Sequence, residues 1–154
     1  MTSEYKILIT GGNGQLSIDL AQVFEGTDLV VLSREALDIS QSHQVEEALQ
    51  HYKPEVVINA AALTDVDGCE HNVEQAQLVN AQGPKNLVRG AQLVGARVVQ
   101  ISTDYVFDGA LDRPYVECDQ PNPQSIYGLT KLAGEQAMRN SDTTVRTSWL
   151  CGHH

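Results

Sequence analysis

Lys6-Ile-Leu-Ile-Thr-Gly-Gly-Asn-Gly-Gln-Leu-Ser17 is the stretch that decides the fold. Residues 6–10 are a short apolar, partly β-branched run closed by glycines, which reads as a buried strand. From Gln15 to Glu25, the apolar residues Leu16, Leu20, Val23 and Phe24 recur at helical spacing. A strand, a glycine-rich turn and a helix in that order open a βαβ unit.

The alternation continues outward from this stretch. Leu29–Leu32 reads as a second strand. Ser42 to Tyr52 reads as a helix with Val45, Ala48 and Leu49 on one face, Ser42 as its N-cap, and Glu46 and Glu47 near its positive end. Val56–Ile58 follows Pro54 as a third strand. Val73 to Gly95 is a long helical pattern, in which Pro84 predicts a kink or a new helix start because it has no N–H and clashes with the preceding turn. Arg97–Ile101 is a fourth strand, Ser125 to Arg139 a helix, and Thr143–Thr147 a fifth strand. Asp108 to Pro123, with Pro114, Pro121 and Pro123, reads as a long functional loop. Such strands with right-handed crossovers predict an α/β chain: a Rossmann-like, three-layer, doubly wound parallel sheet forming one domain over residues 1–154.

Composition narrows the function. The chain has 154 residues, 42% hydrophobic, enough for a normal globular core. Ten Lys and Arg against 20 Asp and Glu give a net charge of −10, which argues against a nucleic-acid polymer as partner. Apolar runs such as residues 55–63 are far shorter than a bilayer span, so no membrane role is expected. The N-terminus shows no secretory pattern. Cys69, Cys118 and Cys151 are odd in number and widely spaced. The expectation is a reducing, cytoplasmic setting with neither disulfide nor metal centre.

The turn Thr10-Gly-Gly-Asn-Gly-Gln-Leu-Ser17 lies where a doubly wound sheet docks a dinucleotide pyrophosphate. Gly11 permits the tight turn, Gly14 lets phosphates approach the backbone, and the helix N-terminus offers free N–H groups. The third position of the GxxGxxG spacing is Ser17, which predicts a tolerated but looser helix–strand fit. An ordinary glycine-rich βα turn is the alternative. The second strand ends Leu32-Ser33-Arg34, with a guanidinium and no carboxylate at its tip. Arginine suits a 2′-phosphate, so NADPH is favoured, with NADH left open; a solvated surface charge is the plain reading of Arg34. Asp38, before Ile39, is placed to approach the adenine.

Tyr127-Gly-Leu-Thr-Lys131 puts a phenol and an ammonium four residues apart on one helix face. The ammonium is expected to lower the phenol's pKa, and the tyrosine to pass a proton to a ketone oxygen as hydride reaches carbon. A surface helix pair is the plain alternative. Ser102 or Thr103, directly after the fourth strand, supplies a hydroxyl to the substrate carbonyl and the tyrosine, or else an ordinary turn. Asn59-Ala-Ala-Ala62 leaves space beside the cofactor, or simply packs tightly.

Five stretches together resemble the extended short-chain dehydrogenase/reductase family, most closely its dTDP-4-dehydrorhamnose reductase branch. They are Ile7 to Leu16, Val57-Ile-Asn-Ala-Ala-Ala-Leu-Thr-Asp-Val-Asp67, Ser102-Thr-Asp-Tyr-Val-Phe-Asp-Gly109, Tyr127-Gly-Leu-Thr-Lys-Leu-Ala-Gly-Glu135 and Val145-Arg-Thr-Ser-Trp149. The resemblance implies that Thr103, Tyr127 and Lys131 form the catalytic set, with Thr103, Asp104 and Trp149 near the sugar. It places Gly14, Gln15, Leu16, Asp38, Ile39, Ala61, Ala62 and Thr64 around the cofactor, beside Gly11, Arg34, Tyr127 and Lys131. It implies hydride passing from NAD(P)H to the C4 ketone of a dTDP-linked deoxyhexulose. Family members are nearly twice as long, so the chain is expected to be truncated before a substrate domain. Apolar surface thereby exposed favours self-association into a homo-oligomer. His153 and His154 are either native or a tag remnant and too few for a metal site. Two other readings share the scaffold: a non-catalytic subunit like the regulatory subunits of methionine adenosyltransferase, and an epimerase or dehydratase with tightly held NAD. The intact Thr103/Tyr127/Lys131 set argues against the first, and Arg34 against the second.

Overall fold

The strand β1 (Lys6–Thr10) lies between β2 (Asp28–Leu32) and β3 (Val56–Asn59), and β4 (Arg97–Thr103) and β5 (Thr143–Thr147) extend the sheet beyond β3. All four pairings are parallel, in the order β2-β1-β3-β4-β5. The computed structural model describes residues 5–152, so His153 and His154 lie outside it. Thr10 is level with Leu32 and Asn59, Asn59 with Gln100, and Thr103 with Thr147. The carboxyl ends therefore form one edge, and the winding reverses between β1 and β3, where such sheets bind ligands.

Helices cover both faces because the strands are apolar on both. Leu8, Val57 and Val98 pack against α2 (Ser42–Tyr52) and α5 (Gly83–Val94), through Val45, Leu49, Leu87 and Ala91. Ile7, Ile9 and Ile58 pack against the other face, toward Leu20 of α1 (Gln15–Val23) and Phe24. Each aliphatic side chain so buried contributes about 1.5–3 kcal/mol.

Several boundaries differ from the sequence reading. Ser42 is not the N-cap of α2: Gln41 is, with extended backbone and no side-chain bond. The preceding turn is organised instead by Asp38, whose carboxylate accepts from Ser40 N at 3.0 Å and Ser40 Oγ at 2.7 Å. Glu46 and Glu47 lie beyond the first turn, and Glu46 pairs with Arg89 of α5 at 3.3 Å. The break expected at Pro84 is a new helix start. A short α4 (Val73–Ala76) widens into a π turn (Gln77–Gln82), and α5 then begins at Gly83 with Pro84 in its first turn. The six-residue α3 (Val66–His71) was too short to show a period; the Asp65 carboxylate caps it, accepting from Gly68 N at 2.9 Å. The strand β4 runs on through Ser102 and Thr103, while α6 (Ile126–Glu135) stops before Arg139.

Past α6, Asp142 ties the starts of β4 and β5 together. Its carboxylate accepts from Val98 N at 2.9 Å and from the Arg139 guanidinium at 2.7 Å and 2.8 Å, while Arg139 also reaches Ala96 O at 2.8 Å. Burial alone would push this carboxyl up, but these donors outweigh it and hold it below its ordinary value. A lowered folded-state pKa gives stability that is present above the unfolded value, near 3.9, and lost as pH falls through the folded value. Asp142→Asn is therefore expected to lose about 1–3 kcal/mol at pH 7 and to approach the parent as pH falls toward 3. Urea denaturation at both pH values checks this; a gap that stays constant with pH would refute the assignment.

Cys69, Cys118 and Cys151 are free thiols. Among the described residues, no helix is long and apolar enough to cross a membrane.

Candidate active site

The carboxyl ends of the strands border a cleft of about 790 Å³, in the range of small-molecule sites. Its inner walls come from four places. Gly14, Gln15, Leu16 and Ser17 open α1; Ala60, Ala62 and Thr64 follow β3; Ser102 and Thr103 end β4, with Asp104 directly after; Tyr127 and Lys131 descend from α6. Trp149, after β5, stands at the mouth, 93% exposed with φ 50°. Gly11, Arg34, Asp38, Ile39 and Ala61 lie outside this wall.

The glycine turn is built by close approach. Gly11 has φ 74°, and a Cβ there would lie 2.8 Å from the Ala61 backbone. Gly12, not singled out from the sequence, is pressed on Val31 in the same way and donates to Leu32 O at 2.9 Å. Gly14 caps α1 without any side-chain bond, and no acidic residue occupies the first turn, so its N–H groups are free for an anion. Ser17 does not loosen the fit. It is fully buried, and its Oγ donates to Thr10 O at 3.2 Å, fastening α1 to β1.

The tip of β2 differs from the sequence reading. Arg34 is exposed as expected, but a carboxylate is also present, one residue further on. Glu35 accepts from Ser33 Oγ at 2.6 Å and from Asn13 Nδ2, in the glycine turn, at 3.4 Å. The Ser33 hydroxyl holds its carboxyl below the usual value. Asp38 spends its carboxylate on its own turn, and Ile39 is a core residue packed on Gly83. Ala60 and Ala62 face the cleft, while Ala61 faces Gly11.

Thr103 and Tyr127 meet. The two side chains lie against each other in the cleft wall, and the Thr103 hydroxyl donates to Asp104 Oδ1 at 3.1 Å and accepts from Tyr105 N at 3.2 Å. Tyr127 is 8% exposed, packed on Cys69 and Ala76, with its ring edge-on to Tyr105. Burial pushes the phenol up, more than the neighbouring Thr103 hydroxyl brings it down. The expected lowering by Lys131 is absent, because that ammonium is turned to Ile101 O at 2.6 Å. Burial holds Lys131 itself down to about 8.

The helix α6 is seated by contacts the sequence did not reveal. Asn80, in the π turn, accepts from Leu63 N at 2.8 Å and donates to Leu63 O at 3.0 Å and Thr130 Oγ1 at 3.3 Å. Gly128 and Gly134 let α6 lie against the carbonyls of Tyr105 and Asn80. The loop after β4 forms the outer wall: Phe107 stacks on Tyr115 at 4.1 Å, and Asp108 accepts from Tyr115 Oη at 2.7 Å and Asn122 Nδ2 at 2.8 Å. An amide within a helical pattern and spaced glycines are weak signals in sequence.

A family model described as the RmlD substrate binding domain matches residues 5–154. The chain belongs to this family. Among its relatives, the dTDP-4-dehydrorhamnose reductase of Mycobacterium tuberculosis is 45% identical over 154 residues, with 94% of this chain and 50% of that protein covered. The crystal structure of dTDP-4-dehydrorhamnose reductase from Bacillus anthracis in complex with NADP superposes with a TM-score of 0.94 at 40% identity, covering 100% of this chain and 56% of that one. A Clostridium acetobutylicum orthologue gives 0.92 at 47% identity, covering 97% and 55%. The chain thus spans about half the length of the RmlD-family relatives it matches.

Proposed function

We propose that the chain is the cofactor-holding half of an NAD(P)H-dependent reductase that converts dTDP-4-dehydrorhamnose to dTDP-L-rhamnose. One observation carries the reading: Thr103 and Tyr127, with Lys131 one turn on, share a cleft with a helix N-terminus that no side chain caps. The dTDP-4-dehydrorhamnose reductase names of its relatives, and NADP in the Bacillus anthracis structure, support it.

The residues present fit a dinucleotide. The free N–H groups of α1 suit a pyrophosphate, and the Ser102 hydroxyl is buried in the cleft wall without a protein partner. When bound, the nicotinamide supplies the hydride that reduces C4. Tyr127 Oη stays protonated at neutral pH, because burial disfavours the phenolate, and donates its proton to the C4 oxygen. Thr103 holds the phenol. Lys131 offers its remaining ammonium donors to ribose hydroxyls. Asp104 and Trp149 lie toward the sugar. Gly11, Asp38, Ile39 and Ala61 serve the cofactor by shaping its turns from behind the wall. The free thiols of Cys69, Cys118 and Cys151 suit a cytoplasmic enzyme.

Arg34 is the reader of the 2′-phosphate. Fluorescence titration of this chain with NADPH and NADH tests both the cleft and the preference. NADPH is expected to bind more tightly. Arg34→Ala should weaken NADPH by roughly 10–100-fold, one or two charged hydrogen bonds, and leave NADH alone. A parent that prefers NADH would overturn the Arg34 role. A folded chain that binds neither would overturn the cofactor cleft.

A further inference from the structure

Three buried side chains at the carboxyl edge, those of Thr10, Asn59 and Gln100, form one hydrogen-bonded line across the sheet, and a fourth, Ser17, joins it through the Thr10 main chain. Ser17 Oγ donates to Thr10 O, and Thr10 Oγ1 donates to Asn59 Oδ1 at 2.6 Å. Asn59 Nδ2 donates to Gln100 Oε1 at 2.7 Å, and Gln100 Nε2 donates to Ile101 O at 2.8 Å. Thr10, Asn59 and Gln100 are register partners on β1, β3 and β4, so the line crosses three strands at one level. All four side chains are at most 1% exposed.

The orientation of each amide follows from a backbone group. Ala61 N–H donates to Asn59 Oδ1 at 3.3 Å, which fixes that atom as oxygen. Asn59 Nδ2 then faces Gln100, which must present Oε1 to it. The Gln100 amide N–H is therefore directed at Ile101 O, the same carbonyl that receives Lys131 Nζ at 2.6 Å. Two donors on one carbonyl use both its lone pairs.

We propose that Gln100 is a positioning residue for Lys131: it shares the Ile101 carbonyl with the ammonium, and its own amide is oriented by Asn59. The inference rests on the reading that Lys131 serves the cofactor. Gln100 touches neither cofactor nor substrate. It competes with Lys131 for one acceptor and so sets how firmly the ammonium is held against the strand and how readily it turns to the cleft. The other ionisable groups around Lys131 are accounted for. Glu135, one turn on, is held bidentately by Arg146 of β5 at 2.7 Å and 3.0 Å. Asp104 accepts from Thr103 and, at 2.7 Å, from Ser148 Oγ, and Tyr127 lies beside Thr103 in the cleft wall.

The test reads Lys131 directly. The chain has four lysines (Lys6, Lys53, Lys85 and Lys131), so a lysine-ε-¹³C-labelled sample gives four titrations by NMR, with Lys131 assigned from Lys131→Met. Gln100→Met removes the competing donor, and the Lys131 midpoint should rise by roughly 0.4–1 pH unit, the equivalent of one neutral hydrogen bond. Gln100→Glu keeps the shape, places a carboxylate beside the ammonium, and should raise it further; it also carries the test if Gln100→Met does not fold. Thr10→Val cuts the far end of the same line, costs stability, and should leave the midpoint where it was. A Lys131 midpoint unmoved in both Gln100 variants, or moved equally by Thr10→Val, would overturn the proposal and leave Gln100 a structural residue. The cofactor reading fails separately: NADPH binding unchanged in Lys131→Met would remove Lys131 from the cofactor site while the Gln100 link, read from the titration, still stood.

Discussion

Tyr127→Phe, made in a chain extended to the length of its relatives, is expected to lower turnover by about 10²–10⁴-fold while NADPH affinity stays nearly unchanged. The ring keeps its contacts with Cys69, Ala76 and Tyr105, so what is lost is one hydroxyl beside Thr103. Losing a single neutral hydroxyl interaction costs at most about 0.5–1.5 kcal/mol of stability, far less than the fold has in hand. The proton is the larger loss, because Tyr127 Oη is the group assigned to give it and phenylalanine carries none. Because burial raises the phenol, the parent's activity should hold through neutral pH and fall as pH rises through the elevated range, where the donor is ionised. A pH–rate profile of the parent and single-turnover rates of the variant check both statements. Turnover equal to the parent's would remove Tyr127 from the mechanism.

Gly11→Val is expected to produce the largest loss of stability. At φ 74° an L side chain is strained, by roughly 1–3 kcal/mol, and its Cβ would fall 2.8 Å from Ala61 N and Cα, backbone atoms that cannot swing away. Overpacking of this kind adds about 1–3 kcal/mol. The sum, roughly 2–6 kcal/mol, corresponds to a fall in Tm of roughly 5–20 °C for a chain of this size. Gly14→Ala is the informative comparison. Its φ is −79°, and the nearest atom to its Cβ is Gly11 O at 3.2 Å, so the fold should be little disturbed while the methyl sits where a pyrophosphate approaches. Calorimetry beside NADPH titration should separate the two: Gly11→Val loses stability first, Gly14→Ala loses binding. Equal thermal losses in both would mean that the turn is strained as a unit and Gly14 has no role of its own toward the phosphates.

The parts of the site that were legible in sequence are those set by local spacing. A strand closed by glycines and followed by a helix leaves little choice about where the free N–H groups lie. Tyr127 and Lys131, four apart, had to share a helix face, and the hydroxyls after the fourth strand had to stand at the carboxyl edge. Arg34 was legible as a charge at a strand tip, but Glu35 beside it was not, because which of two neighbours leans over the glycine turn depends on Ser33 and Asn13.

From the sequence alone came the parallel α/β architecture and the glycine turn at its switch point, since periodicity and turn chemistry are carried by residues close together in the chain; the expectation that Thr103, Tyr127 and Lys131 act as a set came from the family resemblance. Tertiary structure alone decided the state of those groups. Ser17 became a fastening because Thr10 O lies within reach of its hydroxyl. Tyr127 was raised where the YxxxK spacing predicted a lowering, because burial against Cys69 and Ala76 pushes it up while the ammonium is turned to Ile101. Asn80 and Gln100 entered as supports only when strands 41 residues apart, and a π turn 50 residues from α6, were brought together. Proton affinity and hydrogen-bond partnership depend on what surrounds a group in space, and spacing along the chain does not carry that information.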